Sequence, residues 1–423
     1  MHKTHFIDLN ETIVYHRLNN GLTIAIIEKK VFKTSSFFLA TPYGALDVYQ
    51  EDEQKNYQNS LGVAHFLEHK LFENNNGLDV MEAFSKLGAY VNAFTSHNET
   101  VYTFSSVKNI KKGLNLLLDF VQSFDVSEAS VEKEKGIIIQ ELNMYNQMPE
   151  QRLINETYKA LYQNHPIRFD IGGDEESVTN ITREELIEVY QRNYHPQNSL
   201  LVCVSALNPS KIIRMIEENQ NSKQFASKAM VKRSIIDEPS DVFCKEVDFD
   251  MDIKSSKCTY TFKLNHLSSD ESINLKREWT YRLALELVFS SINKNYQVWL
   301  DENRVHDYFG YEVEVNKAYG FVMFYGETED KVDFKALIDE TLKTNLTSFE
   351  EDFVALKRRY KAMLIRSLND HDDYAVSLIR SMFNQIPFDY QFDVLNQIQF
   401  EDCIKAFETI KNYSNSLVFM KKK

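Results

Sequence analysis

The chain has 423 residues, enough for two or three domains at about 150 residues each. With 43% hydrophobic, 13% aromatic and 26% charged residues, 12 Gly and 7 Pro, it is not collagen-like, disordered or of low complexity. The 48 basic and 62 acidic side chains leave a formal charge of −14, which repels phosphate backbones and anionic lipid, so neither nucleic acid nor a membrane is expected as a partner. The four cysteines (Cys203, Cys244, Cys258, Cys403) show no CxxC spacing, and Cys203 sits in the apolar run LLVCVSAL as a small buried hydrophobe would. The N-terminus MHKTHFIDLNET carries no apolar signal core, and no apolar run approaches the roughly 18–20 residues that span a bilayer. These features lead us to expect a soluble protein of the cytoplasm.

In chain order, TIVYHRLNNGLTIAIIEKK reads as two strands split by an Asn-Asn-Gly turn, and SSFFLATPYGALD as a further strand. An amphipathic helix runs through LGVAHFLEHKLFE and a second through DVMEAFSKLG; AYVNAFTSHNETVYTFSSV then reads as two strands around the polar turn Ser96–Glu99. Helices follow in IKKGLNLLLDFVQSF and, with Ser127 as N-cap, in SEASVEKEKGIIIQELNMYNQ. A strand at SLLVCVSAL and a helix from Pro209 end the first half. Residues 221–239 lose periodicity and turn polar and basic, which suits a linker between a domain at 1–220 and another at 240–423. The second half repeats the order of elements with a helix in REWTYRLALELVFSS, strands in DYFGYEVEVNKAYGFVMFYG, and helices in VDFKALIDETLKTNL and EEDFVALKRRYKAMLIRSLND. The expected fold is therefore α+β: two similar sandwich-type domains, each a mixed, mainly antiparallel sheet packed against helices, arising by duplication.

The string His65-Phe66-Leu67-Glu68-His69 carries the chemistry. On a helix, residues i, i+3 and i+4 share a face, so two imidazoles and a carboxylate come together. Imidazole nitrogens suit zinc, and a neighbouring carboxylate can take a proton from a metal-bound water. The apolar residues around them (Leu61, Val63, Ala64, Phe66, Leu67, Leu71, Phe72) place the trio in a largely buried element, where polar groups need partners. A catalytic zinc takes three protein ligands, and Glu141, at the end of the apolar run in SVEKEKGIIIQEL, is the best candidate for the third. Glu134, two helical turns earlier on the same face, reads either as an exposed charge between Lys133 and Lys135 or as the partner of a ligating imidazole. His97, in the Ser96–Glu99 turn, reads as solvated rather than as a ligand.

The segments GVAHFLEHKLFE, KLGAYVNAFTSHNETVYTF and VEKEKGIIIQELNMY, continued by IGGDEESVTNITREELIEVYQRNYHPQNSLLVCVSAL, resemble the insulinase or pitrilysin-like zinc peptidases, whose signature is HxxEH with a distal glutamate. They look most like short, two-domain bacterial cytoplasmic members. The resemblance implies one Zn2+ per chain held by His65, His69 and Glu141, with Glu68 as general base and Glu134 as supporting acid. It also implies that AYVNAFT is an exposed sheet edge pairing with an extended substrate, so that Asn92, Ala93 and Phe94 contact the peptide. The implied function is endopeptidase action on extended peptides or unfolded segments, the alternative being a non-catalytic structural or binding subunit of a peptidase-like complex.

The second half has no metal motif, since Arg282, Leu285 and Glu286 stand opposite the HxxEH positions and Met363 near the slot of Glu141. Family members carry an Arg and a Tyr in a pattern like LRExGLxY; here WLDENRVHDYFGYEVE has Asp301 where the Arg is expected, with Arg304, Tyr308 and Tyr311 close by. A complete chamber in the family takes four such domains, so the resemblance implies a homodimer, or a heterodimer with a paralogue that lacks HxxEH but keeps the Arg and Tyr.

Overall fold

The computed structural model describes residues 1–73, 79–225 and 231–423, so residues 226–230 of the expected linker lie outside the described residues. The chain divides into two compact units that are not consecutive blocks. The first comprises Met1–Met144, Phe169–Ser234 and Leu368–Phe383, and the second Tyr145–Arg168, Ile235–Ser367 and Asn384–Lys423.

The first unit contains β1 (His2–Phe6), β2 (Glu11–Arg17), β3 (Thr23–Glu28), β4 (Ser35–Thr41), β5 (Tyr49–Glu51), β6 (Asn56–Gln58), β7 (Tyr90–Thr95), β8 (Thr100–Ser106), β9 (Leu200–Ser205) and β10 (Lys232–Arg233). Seven of these form one sheet in the order β1-β2-β3-β9-β4-β8-β7, in which β3 and β9 are parallel and the other neighbours antiparallel. All residues of β4 and β9 are buried, which explains their unbroken apolar runs: a strand covered on both faces has no polar side to alternate with. At the opposite extreme, β7 is an edge strand that pairs with β8 through Thr95↔Thr100 to Tyr90↔Ser105.

Four helices of this unit matter for the site: α1 (Val63–Leu71), α2 (Val80–Lys86), α3 (Ile110–Val121) and α4 (Glu128–Asn146). Leu114, Leu117, Leu118 and Val121 of α3 recur at helical spacing and are buried in the same cluster as Phe37 and Phe104, whose rings stack at 5.0 Å. Ser127 starts α4 as expected, its Oγ accepting the Ser130 N–H at 3.2 Å. The helix His371–Phe383 also belongs here: Ser36 Oγ and His371 Nδ1 lie 2.9 Å apart, and Arg380 donates to the buried Glu99 at 2.9 Å. In the stretch expected to be a linker, β10 pairs with β5, and Arg233 grips Asp47 at 3.0 and 2.8 Å.

The second unit is built on β11 (Glu246–Met251), β12 (Lys257–Lys263), β13 (Gly310–Val315), β14 (Gly320–Glu327) and β15 (Asn415–Lys422), in the order β11-β15-β12-β14-β13. Here too a parallel pair, β11 with β15, is followed by three antiparallel pairs, the same sequence of senses as in β3-β9-β4-β8-β7. The two units therefore share one topology, as duplication requires, and β13 is the counterpart of β7. The helix Pro149–Leu161 packs in this unit, with Leu153 and Ala160 against Val418 and Met420 and Thr157 Oγ1 at 2.6 Å from Thr259 Oγ1. No helix among the described residues is long and apolar enough to cross a membrane.

The entry to α1 depends on glycine. Gly62 caps the helix with φ 79°, in the left-handed region, and a Cβ there would meet the carbonyl oxygen of Gly172 at 2.1 Å. The adjacent Ser60 is held by Glu185, which accepts from its N–H at 2.7 Å and its hydroxyl at 2.9 Å. Gly62→Ala is therefore expected to destabilise the first unit by about 2 kcal/mol or more, read as a lowered midpoint in thermal or urea unfolding; an unchanged midpoint contradicts this account of the turn.

Candidate metal centre

In α1, Val63, Ala64, Phe66, Leu67 and Leu71 are buried, while His65, Glu68 and His69 lie on the remaining, partly open face. Glu141 reaches the same place from α4. One ligand atom from each of His65, His69 and Glu141 lies within 4.8 Å of the others. Glu141 Oε2 is 3.5 Å from Nε2 of His69 and 3.9 Å from Nε2 of His65. Donors bound tetrahedrally to zinc at about 2.0–2.1 Å stand about 3.3 Å apart, so small side-chain adjustments close this triangle on an ion. The side chains are 16%, 24% and 25% exposed for His65, His69 and Glu141, which leaves the centre open to solvent and to a substrate.

The surroundings fix the donors. Nδ1 of His69 is 3.1 Å from Oε1 of Glu134, which directs Nε2 towards Glu141. Glu134 is only 7% exposed, so of its two readings the exposed charge does not apply. Burial alone would push its carboxyl up, but the hydrogen bond with His69 and the charge of Lys70 outweigh this and hold it below the usual range. His69 moves the other way: burial would lower it, yet the hydrogen bond to Glu134 and the charges of Glu141, Glu134 and Glu68 raise it. For His65, burial and the neighbouring His69 outweigh the pull of Glu134 and bring the imidazole down to about 4, so its lone pair is free near neutral pH. Its Nδ1 is buried with no hydrogen-bond partner among the described residues. The three carboxylates around the two imidazoles attract a cation, and the donor set suits zinc.

Glu68 stands beside the donors without belonging to their group. Its Oε2 accepts a hydrogen bond from Thr95 Oγ1 at 2.6 Å. Burial raises its carboxyl above the ordinary range, partly countered by that bond and by His69. Thr95 ends β7, so the bond also ties the HxxEH helix to the edge strand. On that strand Asn92 is exposed, and Ala93 and Phe94 are half-buried. His97 is half-buried rather than solvated: burial and the Arg233 cation bring it down to about 4 against the pull of Asp170, and it is not one of the donors.

Two contributors escaped the sequence reading. Thr95 gave no signal, because a threonine in a strand is ordinary. Lys70 did give one: it is a lysine on the arc of α1 otherwise occupied by Val63, Phe66 and Leu67. The second unit shows no such centre at the corresponding helix, Glu271–Val288. Arg282 pairs there with Glu278 at 3.0 Å, and Glu286 pairs with Arg359 at 2.5 Å and accepts from Tyr311 at 2.6 Å.

Residues 52–175 match the family described as Insulinase (Peptidase family M16), and residues 180–354 the Peptidase M16 inactive domain. The uncharacterized zinc protease YmfH of Bacillus subtilis is 34% identical over 397 residues, 93% of this chain and 92% of its own. The mitochondrial-processing peptidase subunit beta of Neurospora crassa is 26% identical over 205 residues, 48% of this chain and 41% of its own. The crystal structure of an M16-like peptidase from Alicyclobacillus acidocaldarius superimposes with a TM-score of 0.91 at 27% identity, covering 98% of this chain and 99% of that one. With the converging His65, His69 and Glu141, these likenesses identify the chain as a two-domain metallopeptidase with zinc as its cofactor, a member of the insulinase family, peptidase family M16.

Proposed function

We propose that the chain is an endopeptidase that hydrolyses extended peptides or unfolded segments, with the first unit catalytic and the second without a metal. The observation that carries this reading is the convergence of His65, His69 and Glu141 within 4.8 Å, with Glu68 beside them. When bound by these three side chains, zinc supplies Lewis acidity, acidifying water and polarising a carbonyl. Glu68 acts as general base, taking the proton of the attacking water and passing it to the leaving nitrogen, a role that suits a carboxyl raised by burial. Glu134 keeps the ring of His69 oriented. The unpaired side of β7 lets Asn92, Ala93 and Phe94 hold a peptide through main-chain bonds, which selects extended chains and reads little of their sequence. A purely structural subunit has no need for these four side chains in one place, which favours catalysis over that alternative. Four free thiols, three of them buried, support a reducing, cytoplasmic setting.

The partner in this reading is a second chain of the same fold: another copy, or a paralogue without HxxEH that supplies the Arg and Tyr. In this chain Asp301 occupies the Arg position, while the nearby Arg304 is bound to Asp333 at 3.1 and 2.8 Å and Tyr311 to Glu286. The Neurospora relative is itself named as a subunit. Sedimentation of the purified chain is expected to give a dimer, with weak turnover until the paralogue is added; a fully active homodimer contradicts the heterodimer form of the proposal.

Elemental analysis should find one zinc per chain, and hydrolysis of a quenched peptide should stop with chelator and return with zinc. Glu68→Gln is expected to keep the zinc and lose about a thousandfold in kcat; retained turnover removes Glu68 from the mechanism. The pH profile gives a second check. The Thr95 hydroxyl favours the charged form of Glu68, so Thr95→Val should move the acid limb of kcat/KM to higher pH. A limb that stays in place, or moves down, means that Glu68 does not set it.

A further inference from the structure

Lys70 is fully buried, at 0% exposure, one residue after a metal donor. At about 100° per residue it leaves α1 on the arc of Val63, Phe66 and Leu67, where an aliphatic side chain of the same length would fill the space with no charge to desolvate. Packing alone does not account for an ammonium in that position. Its partners are Glu73 one turn on, the hydroxyl of Ser130, the carbonyl of Ser130 at 3.3 Å and Oε2 of Glu134 at 3.3 Å. The other oxygen of Glu134 is the one that faces Nδ1 of His69 at 3.1 Å.

The carboxylate of Glu134 is thus held at both oxygens, by the ammonium on one side and the imidazole on the other. Ser130 lies one turn before Glu134 on α4, so Lys70 grips that helix at two levels and fixes its height against α1. At that height Glu141, two turns past Glu134, stands 3.5 Å from His69. We propose that Lys70 is a positioning residue of the metal centre: it fixes Glu134, and Glu134 fixes the ring of His69 so that Nε2 faces Glu141. The Lys70 ammonium bonds to Glu73, Ser130 and Glu134, none of which is a metal donor. The inference rests on the zinc-centre reading above.

The test is a double-mutant cycle read as zinc affinity. Full-length wild type, Lys70→Met, Glu134→Gln and the double variant are stripped, reloaded with zinc alone and titrated against a chromogenic chelator, with circular dichroism as the folding control. Lys70→Met should weaken zinc binding about tenfold, at the lower end of what the loss of a partner to a ligating His costs, and should add little in the Glu134→Gln background, because it acts through that carboxylate. If Lys70→Met fails to fold, Lys70→Gln, which keeps a donor but not the charge, enters the same cycle. Unchanged zinc affinity, or the same loss in both backgrounds, overturns the proposal in favour of a plain cross-link between helices. Wild-type protein that takes up no zinc overturns the zinc reading itself, and the wild-type control separates that failure from this one.

Discussion

The site depends on a line of opposite charges, buried at Lys70 and Glu134 and open at His69, between two helices that are far apart in the sequence. Lys70, Glu134 and His69 alternate in capacity for charge, with contacts of 3.3 and 3.1 Å, and they join α1 to α4 where both helices otherwise present apolar faces. Two helices packed only through Leu, Ile and Val can slide along their ridges at modest cost, whereas a carboxylate held at both oxygens tolerates little displacement. The donors inherit that precision, because His69 ends this line and Glu141 follows Glu134 by two turns of α4.

Local signals made the site largely legible in the sequence, while long-range pairing hid much of the fold. HxxEH declares itself because helical spacing alone brings its three side chains together, and the turn at Ser96–Glu99 and the cap at Ser127 are short-range features of the same kind. The status of Glu134 could not be read locally: Lys133, Glu134 and Lys135 point in three directions, and only the packing of α4 shows that the middle one is buried. Lys70 was legible in principle, as a charge on the apolar arc of α1. The parallel pairing of β3 with β9 joins Thr23–Glu28 to Leu200–Ser205 with no local trace, and nothing in HDDYAVSLIRSMF tells that this helix, which follows a long stretch of the second unit, belongs to the first. An amphipathic helix shows in its sequence that it needs a core to pack on, without showing which core.

The two halves also show how one topology can keep or lose a chemistry. Five strands of each sheet run through the same series of parallel and antiparallel neighbours, and the nine-residue α1 of the first unit has its counterpart in the 18-residue helix Glu271–Val288 of the second. In the first unit two imidazoles and the Glu68 carboxylate of α1 meet Glu134 and Glu141 of α4. In the second, Arg282 pairs with Glu278 and Arg359 with Glu286, and the helix carries no histidine to offer a metal a nitrogen donor. The loss of the metal chemistry needs only the replacement of the donor side chains, on a strand order that both units keep.

The central claim is that one zinc ion is captured by two imidazoles from α1 and one carboxylate from α4. Zinc-edge X-ray absorption on the reconstituted protein tests it most directly. The account predicts a first shell of nitrogen and oxygen at about 2.0–2.2 Å, with the outer-shell scattering of two imidazoles that falls to one in His65→Ala. A sulfur shell at about 2.3 Å, or an imidazole count that does not change in that variant, contradicts it.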